Sequence, residues 1–370
     1  MNDSEYMRLA LQLAEKGCGW TAPNPMVGAV IVKEGRLIGQ GWHEKYGGLH
    51  AERNALASCT ESPQGADLYV TLEPCCHHGK QPPCVDAVLE AGIRRVVIGS
   101  ADPNPLVSGK GVRILREHGV EVIENVLRGE CDRLNQVFFS YIQTGQPYVV
   151  MKYAMTMDGK IATYTGESKW ITGEAARNHV QQQRHRYTAI MAGVGTVLAD
   201  DPLLTCRIAD GKNPIRIICD TGLKTPLHMQ IVATAKQVPT IFAACPGHYQ
   251  DKKRAALEDA GCRVLPVDES NGHVDLRRLM EKLGKEQIDS ILLEGGGTLH
   301  WAALESGIVR KVQAYLAPKL FGGSEAKTPV EGGGIAAVAD AALLKNSTIL
   351  RLGEDFLIES EVAKGVYGNC

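Results

Sequence analysis

Three residues in one stretch, His50, Cys75 and Cys84, constrain this chain more than any other feature. A neutral imidazole and two thiolates give zinc three protein ligands and leave its fourth position open for water, the arrangement of a catalytic rather than a closed structural site. Glu52 lies two residues beyond the histidine and is not needed for coordination, so its expected task is carrying protons to and from that water. An apolar-periodic segment at 51–57 places His50 and Glu52 in one first helical turn facing the metal. Residues 68–72 read as a short strand, and Pro74-Cys75 falls where that strand is expected to turn into a helix, whose first amides favour a thiolate. Cys76, His77 and His78 are alternative ligands, and His43, His77 and His78 also read as pocket or loop residues.

A histidine, a proton-carrying glutamate, Pro-Cys and a further cysteine in this order form the signature of zinc-dependent deaminases of amino-substituted bases. The usual second cysteine follows the first closely. Here Cys76-His77-His78-Gly79-Lys80-Gln81-Pro82-Pro83 separates Cys75 from Cys84, which argues against an ordinary cytidine deaminase.

At 370 residues the chain exceeds one core, and domains of roughly 100 to 200 residues each predict two. The turn Thr144-Gly145-Gln146-Pro147 and a fresh strand at 148–153 put the boundary near 146, giving domains 1–146 and 147–370. The first half reads as a helix at 7–14 capped by Ser4, a turn-rich 17–25 and a hairpin of 27–32 with 36–41. After the metal helix and the strand at 68–72 come a helix at 84–91, a strand at 95–98, a helix at 111–118, a strand at 120–123 and a closing helix at 130–142. This alternation predicts a mixed sheet covered by helices on both faces. Ligands of such sheets collect at strand ends, where Asn24 and Asp102-Pro103-Asn104-Pro105 can reach the zinc rim, although Asp, Asn and Pro also dominate turns for local reasons.

The second half alternates again, with strands at 189–192, 215–219, 240–243, 263–267 and 290–293 and helices at 174–185, 251–259, 276–283 and 298–305. Strands at 312–318, 348–352 and 355–359 predict an antiparallel edge. The strand at 290–293 runs through Gly295-Gly296-Gly297 into a helix, where amides can approach a pyrophosphate and the helix dipole favours the anion. The spacing is not Gly-x-Gly-x-x-Gly, so a flexible turn competes with a dinucleotide site. Glu294 is a ligand contact or a surface carboxylate. Arg184 and Arg207 offer bidentate phosphate recognition or are solvated arginines, and Trp170 has core packing as its plain alternative.

A net charge of -2 with no basic block leaves no electrostatic footprint for nucleic acid. That counts against an RNA deaminase whose C-terminal half merely binds a partner. The start Met1-Asn2-Asp3-Ser4-Glu5 lacks the basic opening of a signal peptide, and no apolar run approaches the roughly 20 residues of a membrane span. Eleven cysteines without a secretion signal read as reduced thiols. A cytoplasmic enzyme with no membrane or nucleic-acid partner is expected.

Taken together these segments resemble the bacterial bifunctional deaminase/reductase family of riboflavin biosynthesis over almost the whole chain. Pro23-Asn24-Pro25-Met26-Val27-Gly28, His50-Ala51-Glu52, Thr71-Leu72-Glu73-Pro74-Cys75, His77-His78-Gly79, Pro82-Pro83-Cys84 and Asp102-Pro103-Asn104-Pro105 match its deaminase half. Gly166-Glu167-Ser168-Lys169-Trp170-Ile171-Thr172, Thr196-Val197-Leu198-Ala199-Asp200-Asp201-Pro202 and Ala317-Pro318-Lys319-Leu320 look like its reductase half. The step from Cys75 to Cys84 is that family's own.

The resemblance implies an α/β protein of two domains, a cytidine-deaminase-like α/β/α sandwich followed by a dihydrofolate-reductase-like α/β domain. It implies deamination of a diaminopyrimidinone bearing a phosphoribosylamino group, then reduction of the ribose to a ribityl chain with NADPH. One zinc per chain is expected on His50, Cys75 and Cys84, with Glu52 catalytic. Asn24, Lys80, Asp102 and Asn104 are expected to contact the first substrate, and Ser168, Arg184, Leu204, Arg207 and Glu294 the second. Ala154, Trp170, Thr196, Asp200, Thr221, Gly296, Gly297 and Thr298 are expected to contact NADPH. A homo-oligomer is expected.

Overall fold

The first helix, α1 (Asp3–Glu15), opens on Asn2, whose side chain accepts the Glu5 N–H while the Glu5 carboxylate takes the N–H of Asn2. This reciprocal box needs a glutamate three residues after the cap. Asn2 has one and Ser4 does not, so the expected cap at Ser4 moves to Asn2 and the helix starts earlier. The computed structural model describes residues 1–78 and 81–363, and the chain divides into two units, Met1–Gly145 and Gln146–Cys370.

In the first unit α1 is followed by β1 (Gly28–Lys33), β2 (Arg36–Trp42), α2 (Ala51–Ala57), β3 (Asp67–Leu72), α3 (Cys84–Glu90), β4 (Arg95–Ser100), α4 (Lys110–Glu117) and β5 (Glu121–Ile123). The sheet order is β2-β1-β3-β4-β5, antiparallel from β2 to β3 and parallel from β3 to β5. Successive residues of β1 face opposite sides. Ala29 and Ile31 pack with Ala51 and Ala55 of α2, Val85 and Val88 of α3 and Leu115 of α4. Val30 and Val32 pack with Met7, Ala10 and Leu11 of α1. A Cβ on Gly28 would run into the Ala10 carbonyl and the Ala14 amide, so α1 can lie on the start of β1 only because that residue is glycine.

The closing helix expected at 130–142 is two helices, α5 (Arg128–Leu134) and α6 (Gln136–Thr144). The break falls at buried Asn135, whose side chain accepts the Met26 N–H at 2.8 Å and donates to the Met26 carbonyl at 2.9 Å. An asparagine that pairs with a remote backbone competes with helix continuity, and here it ties down the segment just after Asn24.

The second unit runs β6 (Tyr148–Thr156), α7 (Glu174–Arg186), β7 (Ala189–Gly193), α8 (Val194–Asp200), β8 (Ile215–Cys219), α9 (Gln230–Ala233), β9 (Thr240–Ala244), α10 (Asp251–Asp259) and β10 (Arg263–Pro266). It continues with a small hairpin of β11 (Glu269–Ser270) and β12 (His273–Val274), then α11 (Leu276–Lys285), β13 (Ser290–Leu293), α12 (Gly297–Glu305), β14 (Val309–Ala317), β15 (Leu344–Leu352) and β16 (Asp355–Val362). The sheet order is β10-β9-β8-β7-β13-β6-β14-β16-β15, parallel up to β14 and antiparallel beyond it. One face buries Leu279, Met280 and Leu283 of α11 with Ala303 of α12. Elsewhere Val197 of α8, Ile231 of α9 and Leu257 of α10 pack on Ile190 and Phe242, and Ala176 and Val180 of α7 pack on Tyr315 and Leu357. Neighbouring parallel strands β8, β7, β13 and β6 therefore present their carboxyl ends side by side. No helix among the described residues is long and apolar enough to cross a membrane.

Candidate active sites

In the first unit His50 caps α2 and Glu52 sits in its first turn, while Cys84 is the first residue of α3. The His50 Nδ1 lies 3.5 Å from the Cys75 Sγ and 3.3 Å from the Cys84 Sγ, and the three donor atoms all fall within 4.8 Å of one another. Tetrahedral zinc with its usual bonds to nitrogen and sulfur separates those atoms by about 3.6 Å, so donor chemistry and spacing both fit the ion. Among the described residues this is the one group of His, Cys and acidic side chains placed to hold a metal. Cys76, His77 and His78 are not in it. Cys75 lies in a loop rather than at a helix start, but the expected amide arrives from elsewhere: the N–H of Cys84 points at the Cys75 Sγ from 3.4 Å.

Hydrogen bonding from the Cys84 thiol, and then from His50, holds the Cys75 thiol well below the usual thiol range. The hydrogen bond to Cys75, together with burial, pushes Cys84 up, and the same Cys75 raises His50. Glu52 is 3 % exposed, and burial, with the charge of Cys75, pushes its carboxyl up to about 7. A carboxyl that titrates near neutrality can both take up and release a proton.

The rim of this site is held by buried polar groups. His43 has its Nδ1 2.9 Å from the Leu49 carbonyl and its Nε2 3.2 Å from the Asn24 amide nitrogen. A carbonyl only accepts, so Nδ1 carries the proton and Nε2 accepts from Asn24. The Asp102 carboxylate accepts the Asn104 N–H at 2.8 Å, and burial raises Asp102 to about 6. Buried Glu73 gathers the N–H groups of Gly109, Val112 and Asp102 at 3.0, 3.3 and 3.5 Å. Sequence reasoning quoted Glu73 only as part of a motif, since a glutamate beside Pro-Cys carries no sign of what it will bind. Lys80 lies outside the described residues.

In the second unit Glu294 directly follows β13 and is gripped twice by Arg184 of α7, Nε to Oε1 and Nη2 to Oε2 both at 2.9 Å, with the Lys152 Nζ of β6 3.5 Å from Oε2. Burial alone would raise the Glu294 carboxyl, but Arg184 and Lys152 pull it down to about 2. Side-chain exposure of 12 % for each of Arg184 and Glu294 rules out the solvated readings of both. Arg184 also donates to the Thr205 carbonyl at 3.0 Å, beside buried Leu204. Arg207 is exposed, and its backbone N–H is held by Gln181 at 2.9 Å. Sequence reasoning missed Lys152, whose signal is a lone cation inside an otherwise apolar strand start.

Several of the remaining expected contacts lie at or just past strand ends. Ala154 is on β6, Thr196 and Asp200 on α8 directly after β7, Thr221 just past β8, and Gly296 caps α12. A Cβ on Gly296 would stand 3.8 Å from the Thr196 hydroxyl, so those two segments are neighbours. Gly297 and Thr298 form the first turn of α12. Trp170 is 61 % exposed, with the Arg177 guanidinium 4.9 Å above its ring and the Lys319 ammonium on its carbonyl at 3.0 Å, so it is not core packing. Half-buried Ser168 lies in the same loop.

Residues 1–100 match the cytidine and deoxycytidylate deaminase zinc-binding region, and residues 147–358 match the RibD C-terminal domain. The class is therefore a zinc-binding deaminase domain joined in one chain to a reductase domain that uses a nicotinamide cofactor. The riboflavin biosynthesis protein RibD of Actinobacillus pleuropneumoniae is 56% identical over 97% of this chain and 95% of its own length. The Escherichia coli RibD is 41% identical over 96% and 98%. A Thermotoga maritima structure described as a diaminohydroxyphosphoribosylaminopyrimidine deaminase/5-amino-6-(5-phosphoribosylamino)uracil reductase superposes with a TM-score of 0.86 at 38% identity, covering 98% of this chain and 99% of that one. Acinetobacter baumannii RibD does so with 0.87 at 37%. The chain belongs to the RibD family, the bifunctional deaminase and reductase of riboflavin biosynthesis.

Proposed function

We propose that residues 1–146 hydrolyse the ring amine of 2,5-diamino-6-(5-phosphoribosylamino)pyrimidin-4(3H)-one. Residues 147–370 then reduce the ribosyl side chain of the product, 5-amino-6-(5-phosphoribosylamino)uracil, with NADPH. The observation that carries this reading is the imidazole and two sulfurs converging beside a buried carboxylate. His50, Cys75 and Cys84 hold one zinc per chain. Zinc bound there supplies acidification of a water molecule at its open position. Glu52 accepts the proton that water gives up and delivers it to the departing ammonia. Asn24, oriented by His43, Asp102, whose N–H Glu73 holds, and Asn104, whose N–H the Asp102 carboxylate holds, grip the pyrimidine and its substituents, and Lys80 joins them.

In the second unit Ser168, Leu204 and Arg207 bind the phosphorylated ribosyl chain, and Glu294 meets it as a carboxylate because Arg184 and Lys152 keep it ionised. Ala154, Trp170, Thr196, Asp200, Thr221, Gly296, Gly297 and Thr298 line the strand ends that take NADPH. Bound NADPH supplies the hydride. The substrate is a small phosphorylated pyrimidine, with no nucleic acid or membrane partner, in the cytoplasm. Edge strand β15 leaves Leu344, Ile349 and Leu350 exposed. An uncovered apolar edge of this kind invites pairing, so a second copy of the chain docks there.

The decisive experiment mixes purified zinc-loaded protein with the diaminopyrimidinone and NADPH. Ammonia release should precede NADPH oxidation, and the uracil compound alone should support oxidation. Ammonia release from RNA but not from the diaminopyrimidinone would favour the RNA deaminase instead.

A further inference from the structure

His300 lies in α12, fully buried, and both of its ring nitrogens are engaged. Its Nδ1 is 2.7 Å from the Pro329 carbonyl, and its Nε2 takes the N–H of Gly295 at 3.2 Å. A carbonyl can only accept and an amide N–H can only donate, so the ring is the neutral Nδ1–H tautomer. Burial pushes the pKa of this histidine down and outweighs the Pro329 and Leu293 carbonyls, which pull it up, so the ring stays neutral. The ring also packs at 6.0 Å against Tyr153, the neighbour of Lys152 on β6.

The glycine run is braced from the same side by the 328–331 segment. The Glu331 N–H donates to the Gly297 carbonyl at 3.1 Å, and the Glu331 carboxylate accepts the Thr328 N–H at 3.1 Å. A Cβ on Gly297 would stand 2.5 Å from the Glu331 Cγ and 2.7 Å from the Thr328 carbonyl, so the two segments touch backbone to backbone. His300 bolts them together at the other end, between Gly295 and Pro329.

We propose that His300 is a positioning residue of the reductase half. By holding Gly295 and Pro329 it fixes the turn that carries Glu294 on one side and the amides of Gly296, Gly297 and Thr298 on the other, and so sets the affinity for NADPH. The proposal rests on the reductase reading of the second unit. Without an acceptor at Nε2 the half-buried Gly295 N–H loses its partner, a costly state that the peptide escapes by turning. That turn displaces the glycines.

The test uses full-length, zinc-loaded His300→Ala and His300→Gln proteins. NADPH is titrated without substrate by quenching of tryptophan fluorescence, after which reductase KM and kcat are measured. In H300A the NADPH Kd and KM should rise roughly ten-fold, the cost of one lost hydrogen bond, while kcat falls less and deamination is unchanged. In H300Q, whose amide can both accept and donate, they should stay within roughly three-fold. A merely structural histidine lowers the melting temperature of both variants without separating their NADPH affinities, and that result overturns the proposal. Nitrogen NMR of histidine-labelled wild-type protein tests the clamp even if H300A does not fold, because an Nε2–H tautomer or a charged ring at His300 also overturns it. Wild-type protein that binds no NADPH refutes the reductase reading itself, and the tautomer measurement then still decides the clamp.

Discussion

Replacing Arg184 by methionine should damage the second unit far more than removal of an ordinary surface arginine. The guanidinium is buried, makes two hydrogen bonds to Glu294 and a third to the Thr205 carbonyl, and leaves only Lys152 to face the carboxylate once it is gone. Breaking one partner of a buried pair costs about 3–5 kcal/mol, because the other charge stays behind uncompensated. The pH dependence of Glu294 gives the same scale. Its carboxyl titrates at about 2 in the folded protein against an ordinary 4.5, a difference equivalent to about 3 kcal/mol. Because the folded value is the lower one, this stabilisation is fully present above the ordinary value and is lost as pH falls from there through about 2. The assay is urea unfolding followed by hydrogen exchange of peptides covering β6 and β13, so that the other unit does not mask the result. Arg184→Met should lose most of the increment at pH 7 and lose its acid sensitivity with it. Adding Glu294→Gln to Arg184→Met should recover part of the stability, since the orphaned charge disappears. Strictly additive losses, or a single-mutant loss below about 1 kcal/mol, would refute the buried-pair account.

Other expectations follow from the same geometry. Glu52→Gln should cut deamination by roughly 10²- to 10⁴-fold with zinc content unchanged and reduction of the uracil compound intact; normal deamination by the zinc-loaded variant would overturn the proton-carrying role. Cys75→Ser and Cys84→Ser proteins should each lose zinc by metal analysis, and full zinc occupancy in both would mean that the ligand set is wrong. Ile349→Lys on β15 should shift the protein toward monomer in sedimentation without changing deamination rates, and an unchanged assembly would show that the second copy docks elsewhere.

Much of the zinc half was readable from the chain, because its chemistry is local. His50 and Glu52 share one helical turn, and the helix at 51–57 stands where its apolar spacing put it. Legibility failed where a distant partner decides the outcome. Nothing near Asn135 announces that Met26, more than a hundred residues earlier, will capture its amide and split a helix. Cys75 looked like a helix start because Pro-Cys follows a strand, yet the amide that supports it comes from Cys84 across the insertion. The second unit was harder still. Glu294, Arg184 and Lys152 come from three elements that meet only when β13 is inserted between β7 and β6, so a sequence reader sees separate charges with ordinary surface explanations. Trp170 is a different case: core packing is its plain alternative on size alone, and the residue lies exposed beneath Arg177.

The hook formed by Asn135 also has a bearing on the order in which a growing chain becomes competent. The last of the proposed metal ligands, Cys84, leaves the ribosome well before Asn135, and at the usual rate of synthesis the interval is about 3–10 s. During that time a nascent chain owns every side chain needed to capture zinc but has nothing to fasten Met26, and with it the Asn24 loop. Metal loading on the proposed ligands can therefore come first, with the Asn24 loop fastened only afterwards. The same ordering warns anyone trimming the gene: a fragment ending after β4 keeps the proposed ligands and Glu52 but discards the residue that fastens Met26.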